Sequence, residues 1–84
     1  MKYRILIVKS AEKEINKIKG RIFGRIYRKV LSLENNPRPH NAKKLTNREE
    51  YRVRVGDYRI LYKINDSHKT VTIMAVGHRK EVYR

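Results

Sequence analysis

Eighty-four residues carry 22 Lys and Arg against 8 Asp and Glu, a formal charge of +14, and no cysteine. A chain of that length supports one domain with a single modest core; without cysteine it has no disulfide, thiolate metal site or Cys nucleophile, a composition suited to a reducing cytoplasm. The charge implies an anionic partner, nucleic acid or acidic protein, and disorder is set aside because Ile, Val, Leu and Tyr alternate with the charges instead of giving way to them.

Met1 to Lys9 hold only a short apolar run and no small-residue cleavage site, so the start reads as a strand and not as a signal peptide. Over residues 2–8, Tyr3, Ile5 and Ile7 share one face and Leu6 and Val8 the other, which predicts a strand buried within its sheet. Ser10 is the expected N-cap of a helix, with Glu12 and Glu14 near the positive end of its dipole. Ala11, Ile15 and Ile18 form its apolar stripe and Gly20 ends it. A longer helix follows, with Ile22, Ile26, Val30 and Leu33 in line and Phe23 and Tyr27 beside them, stopped by Asn35-Asn36-Pro37. So short a turn between the two predicts an antiparallel helical hairpin. No apolar run approaches the roughly 20 residues that span a bilayer, so no membrane partner is expected.

From Pro37 to Arg48 the chain is basic with little periodicity. It reads as a loop, either one that touches a partner through Lys43, Lys44 and Arg48 or a plain connector anchored by Leu45.

Tyr51 to Lys63 is the most strongly patterned stretch. Two runs rich in Tyr, Val and Ile flank Gly56-Asp57, a pair suited to a tight hairpin turn. That loop sets Val55 opposite Tyr58, Arg54 opposite Arg59 and Val53 opposite Ile60. One face then carries Tyr51, Val53, Val55, Tyr58, Ile60 and Tyr62, and the other Arg52, Arg54, Arg59, Leu61 and Lys63. Like charges placed directly across a sheet are destabilising, and no carboxylate is expected on that face. A docked anion would relieve the crowding; a solvated face with splayed basic side chains is the alternative. Asn65 to Lys69 form a polar turn, and residues 70–76 a last strand, antiparallel to 58–64. Its exit brings Gly77-His78-Arg79 out beside the Arg54/Arg59 face. The order gives an α+β domain: strand, two helices, then a three-stranded antiparallel meander, with the helices on one sheet face. The first strand joins at an edge or beside the last-formed strands.

Metal-dependent hydrolysis needs several converging carboxylates. The eight here are scattered, and no Walker loop, His-x-x-His pair or Ser-His-Asp set is present, so neither metal nor cofactor is expected. Metal-free RNA cleavage asks less, because the ribose 2′-OH attacks the adjacent phosphate once the two are aligned and the charge is stabilised. Clustered arginines suit the charge, His78 offers an imidazole that could move a proton, and Tyr83 offers a ring for stacking a base. A polar surface His and a packed terminal Tyr are the plainer readings of the last two.

Tyr51-Arg52-Val53-Arg54-Val55-Gly56-Asp57-Tyr58-Arg59-Ile60-Leu61-Tyr62, followed by Gly77-His78-Arg79-Lys80-Glu81-Val82-Tyr83-Arg84, resembles the RelE/ParE toxin superfamily, and within it the RelE branch. The resemblance implies the toxin of a type II toxin–antitoxin pair, a ribosome-dependent endoribonuclease that enters the A site and cuts the mRNA codon there. It gives Arg59 the stabilisation of the transition state, Arg79 the part of general acid or phosphate ligand, and Tyr83 the stacking of a base. Arg52, Lys43, Lys44, Arg48, Lys80 and Arg84 would bind RNA. It further implies as partners an acidic RelB-like antitoxin and the ribosome with its mRNA and ribosomal RNA. Arg52 and Arg54 depart from relatives that carry lysines there, one of them proposed as general base. A guanidinium is a poor proton acceptor, so His78 takes the proton, or positioning and charge stabilisation dominate, or the protein is slow. The chain stops at Arg84, where some relatives have a further segment. Two rivals stay open: a ParE-like inhibitor of DNA gyrase, and a non-catalytic RNA- or ribosome-binding module.

Overall fold

The sheet is built around the hairpin. In the computed structural model, which describes residues 2–45 and 49–78, five strands lie in the order β1-β5-β4-β3-β2. They are β1 (Arg4–Ile7), β2 (Lys43–Lys44), β3 (Glu50–Val55), β4 (Tyr58–Asn65) and β5 (Thr70–His78), with α1 (Lys9–Lys17) and α2 (Arg21–Ser32) following β1. β3, β4 and β5 form the expected meander, and β1 runs parallel to β5 at one edge. The other edge is β2, a two-residue strand inside the stretch read as a loop. It is too short to show a period of its own.

The hairpin register is the expected one, with Val53 opposite Ile60, Arg54 opposite Arg59 and Val55 opposite Tyr58. Gly56 takes φ 59° at the first loop position, as a type II′ turn requires. A side chain there would also press on α2, since a Cβ would lie 3.1 Å from Ile22 Cδ1, whose end would have to give by a few tenths of an ångström.

Both helices cover one face, α1 over β5 and α2 over β3. Ala11, Ile15, Ile26, Val30 and Leu33 meet Val53, Ile60, Tyr62, Val71, Ile73 and Val76 in one core. The helices pack on the sheet and hardly on each other, so the expected pairing of α1 with α2 as a helical hairpin gives way to two helices each held by its own strand. Three local expectations change. Leu6 is 42% exposed and Ile7 is exposed too, because β1 is an edge strand with one neighbour and is not buried between two. α1 starts at Lys9 with Val8 as its N-cap and no side-chain cap. Ser10 is displaced because Val8 N–H still bonds the Ile73 carbonyl (3.1 Å), so strand passes straight into helix. Gly20 sits past the end of α1, where its φ of 84° makes the turn into α2.

β5 carries a bulge. Leu61 faces Ala75 while Tyr62 faces Ile73, so Met74 is an extra residue without a partner. Strict alternation could not turn both Ile73 and Val76 inward, three residues apart; the inserted residue does. Every residue beyond it changes face.

Candidate anion-binding site

The outer sheet face, opposite the helices, holds the basic side chains. Arg54 and Arg59 face each other across the hairpin, and Arg52 lies between its two neighbours, Leu61 of β4 and Lys43 of β2. Directly paired residues share a face, so Lys43, Arg52, Arg54 and Arg59 converge. With Asn41, Gly56 and Asp57 they line a groove of about 630 Å³.

The face is not free of carboxylates, contrary to expectation. Glu50 lies on it opposite Lys63. Asp57 reaches back from the turn until Oδ1 is 4.0 Å from Arg54 Nη2, and Arg54 Nε–H donates to the Gly56 carbonyl at 2.8 Å. The turn therefore draws the Arg54 guanidinium toward its own end, which lowers the cost of placing it across from Arg59. Asn41, Gly56 and Asp57 are the three lining residues the sequence did not single out for the site, the last two being read there only as the turn. Asp57 had a signal, three residues from Arg54 across a two-residue turn; Asn41 had none.

The remaining candidates divide. Lys44 pairs with Tyr51 and so lies on the opposite face from Lys43. His78 is also on the far side. It pairs with Tyr58, their rings 5.8 Å apart edge to face, and it lines a cleft against Glu14 and Lys17 of α1 and Ile18 just past its end. The bulge at Met74 is the reason: without it, alternation along β5 sends His78 to the arginine face. Gly77, and not His78, stands beside Arg59. Arg48, Arg79, Lys80, Tyr83 and Arg84 lie outside the described residues. No group of three His, Asp or Glu side chains that could hold a metal is found among the described residues.

The loop that carries Asn41 and Lys43 to the groove is tied down at its start. Arg38 makes a forked contact with Asp66, Nη2 to Oδ2 at 2.9 Å and Nη1 to Oδ1 at 3.3 Å. Its guanidinium also lies over the Tyr51 ring, 5.4 Å from the centroid, and Nε–H donates to the Tyr51 hydroxyl. Tyr3 O–H donates to the same carboxylate at 2.6 Å. Hydrogen bonds from Arg38 and then Tyr3 hold the Asp66 carboxyl down at about 2. Beneath them the fully buried Tyr62 donates its O–H to the Pro37 carbonyl at 2.7 Å. Burial pushes that phenol up to about 12.

The fold is shared with known proteins. Residues 5–83 match the family described as ParE toxin of the type II toxin–antitoxin system parDE. The chain is 31% identical over 87 residues to Toxin RelG of Mycobacterium tuberculosis, across all of this chain and 99% of that one. It is similar to a chain of the toxin–antitoxin complex RelBE2 from M. tuberculosis, with TM-score 0.82 and 29% identity over 94% of this chain and all of that one. A chain of the archaeal RelE–RelB complex from Pyrococcus horikoshii OT3 gives TM-score 0.80 and 28% identity over 96% and 99%.

Proposed function

The chain belongs to the RelE/ParE superfamily of toxins of type II toxin–antitoxin systems, and from that premise we propose that it is a metal-independent endoribonuclease that cuts mRNA on the ribosome and so stops translation. The observation that carries this reading is the groove in which Arg54 and Arg59 face each other beside Arg52 and Lys43. One phosphodiester seated there would meet several cationic donors at once. In the reaction the 2′-oxygen forms a bond to phosphorus, the bond from phosphorus to the 5′-oxygen breaks, and the 2′-OH proton leaves while the 5′-oxygen gains one. The products are a 2′,3′-cyclic phosphate and a 5′-OH end.

Guanidinium groups stabilise the negative charge that builds on the phosphate oxygens, and being fixed by the sheet they need little reorganisation to do so. A divalent cation would find one carboxylate in the groove, Asp57, and strong repulsion from the rest. Proton acceptance is the weak part of the device, since arginine is a poor base and His78 is on the other face. Alignment and charge stabilisation therefore carry the rate. By resemblance, Arg79 would add a phosphate ligand or general acid and Tyr83 a stacking ring. An open groove on a sheet face cannot by itself hold a flexible strand in line, which is why the ribosome is needed to present the codon. The site of action is then the cytoplasm, and the controlling partner is an acidic RelB-like antitoxin.

Single-turnover cleavage on programmed ribosomes tests the reading. Cutting confined to the A-site codon, insensitive to chelators and weak on naked mRNA, is the expected result; efficient cutting of free RNA at many sites overturns the ribosome's part. The family model that matches is the ParE one, so gyrase supercoiling is assayed alongside. Inhibition of gyrase with intact mRNA would assign the ParE-like activity instead.

A further inference from the structure

The groove around Arg54 and Arg59 does not end at the sheet. β2 covers β3 only at Tyr51 and Arg52, so among the described residues no strand lies on the outer side of Val53 to Val55. Around that edge lies a second groove of about 500 Å³, lined from α2 by Arg25, Arg28, Lys29 and Ser32. Asn41 and Arg54 line both grooves. The two therefore run into each other around the β3 edge.

The charge pattern of α2 works against the helix. The helix Arg21–Ser32 contains no acidic residue, and its first turn sets Arg21 at the positive end of the dipole. Arg21, Arg25 and Lys29 repeat at four-residue spacing, where like charges repel. Arg25 and Arg28 are exposed and take no part in the core. Gly24, a poor helix residue, leaves room beside Arg28: a Cβ there would be 3.4 Å from Arg28 Nη1. Ser32 O–H is committed to the Lys29 carbonyl at 2.6 Å, so recognition falls to the cations. Among the described residues that line this groove there is no carboxylate, and Val55 is the one apolar member. Within this groove an acidic peptide would find only Val55 for its apolar side chains, whereas a phosphodiester backbone needs no apolar partner.

We propose that the α2 groove is a second phosphodiester subsite, which takes the backbone of a single-stranded RNA as it leaves the Arg54/Arg59 groove and turns around the open edge of β3. The proposal rests on reading the first groove as an RNA site. Holding the strand at a second point reduces its freedom to leave the reactive alignment in the first.

The test is fluorescence anisotropy with 2′-O-methyl oligoribonucleotides, which bind but cannot be cut. A dinucleotide reaches the first groove only; a longer oligonucleotide reaches both. The double variant R25Q/K29Q keeps helix propensity. It should weaken the long ligand about tenfold, make its slope of log affinity against log salt shallower by roughly 1.4, and leave the dinucleotide unchanged. Arg28→Gln, an independent variant, should act in the same direction. Loss for both lengths alike, or for neither, overturns the subsite. An equal loss for an acidic peptide of matched charge assigns the groove to protein and overturns it also. Arg59→Ala should weaken both lengths; a dinucleotide that binds Arg59→Ala as it binds the parent strikes at the first groove and not at the second.

Discussion

Arg59 and His78 stand on adjacent strands, close along the chain direction, yet on opposite faces of the sheet. Arg59 lines the outer groove, whereas His78 packs by Tyr58 on the helix side. The proposed chemistry treats them differently. Arg59→Ala leaves the core untouched, so stability should change by no more than the tenths of a kcal/mol typical of a cross-strand pair. Cleavage on ribosomes should fall about 100-fold, the scale of losing one donor to the transition state. Arg59→Lys keeps the charge but not the planar fork and should recover part of the rate. His78→Ala should cut at the parent rate with the parent's pH profile. A folded Arg59→Ala protein that cuts normally would end the catalytic reading of the hairpin; a hundredfold loss in His78→Ala would show that His78 reaches the scissile phosphate after all. The position of Arg59 was legible in the chain because Gly56-Asp57 pins the hairpin register. That of His78 was not, because one inserted residue at Met74 reverses every side chain beyond it and leaves only a three-residue spacing between Ile73 and Val76 as its trace.

Among the elements, the segment between α2 and β3 departs most from its reading as a loop. It is fastened at one end by Arg38 to Asp66 and Tyr51, with Tyr3 bonded to the same Asp66 carboxylate, and becomes a strand at Lys43 and Lys44. Neither feature has a periodic signature. A two-residue strand is shorter than any alternation, and the Arg38–Asp66 pair joins positions 28 residues apart. Its consequence is an acid-sensitive clamp. Asp66 titrates ordinarily at 3.8 and in the fold at about 2. A lowered carboxyl contributes stability that is fully present above its unfolded value and is lost as pH falls through the folded one. Between about 3.8 and about 2 the clamp should therefore fail. Asp66→Asn should melt lower than the parent at neutral pH, by a small margin since the pair is exposed. The gap should close as pH drops through that window, read by thermal unfolding at fixed salt. A gap that persists at the acid end would mean that the carboxylate charge is not what holds the loop.

For the whole molecule the informative quantity is the distribution of the +14 charge. Its size was plain from composition. Its division was not, since the cations of β3 and β4 and those of α2 are far apart in sequence and meet only around the open edge of β3. Such a surface repels itself in the free protein, and the same repulsion becomes binding energy when an acidic chain or a phosphate backbone covers it. An acidic antitoxin that binds only the folded toxin, held at about a hundred times its low-salt Kd, should raise the toxin's stability by about 2.7 kcal/mol at low salt. Because much of that gain is relief of exposed like charge, it should shrink as salt rises and the screening length falls to about 8 Å at physiological ionic strength and 3 Å at 1 M. The apolar part of the contact should not shrink. α2 has surface for such a part, with Phe23 and Tyr27 stacked at 6.2 Å and exposed. Calorimetry of the toxin alone and with antitoxin, at low and high salt, separates the two contributions. A melting increment that is large and flat across salt would place the interaction on the apolar surface and remove the arginine face from antitoxin recognition. No increment at any salt would remove the antitoxin.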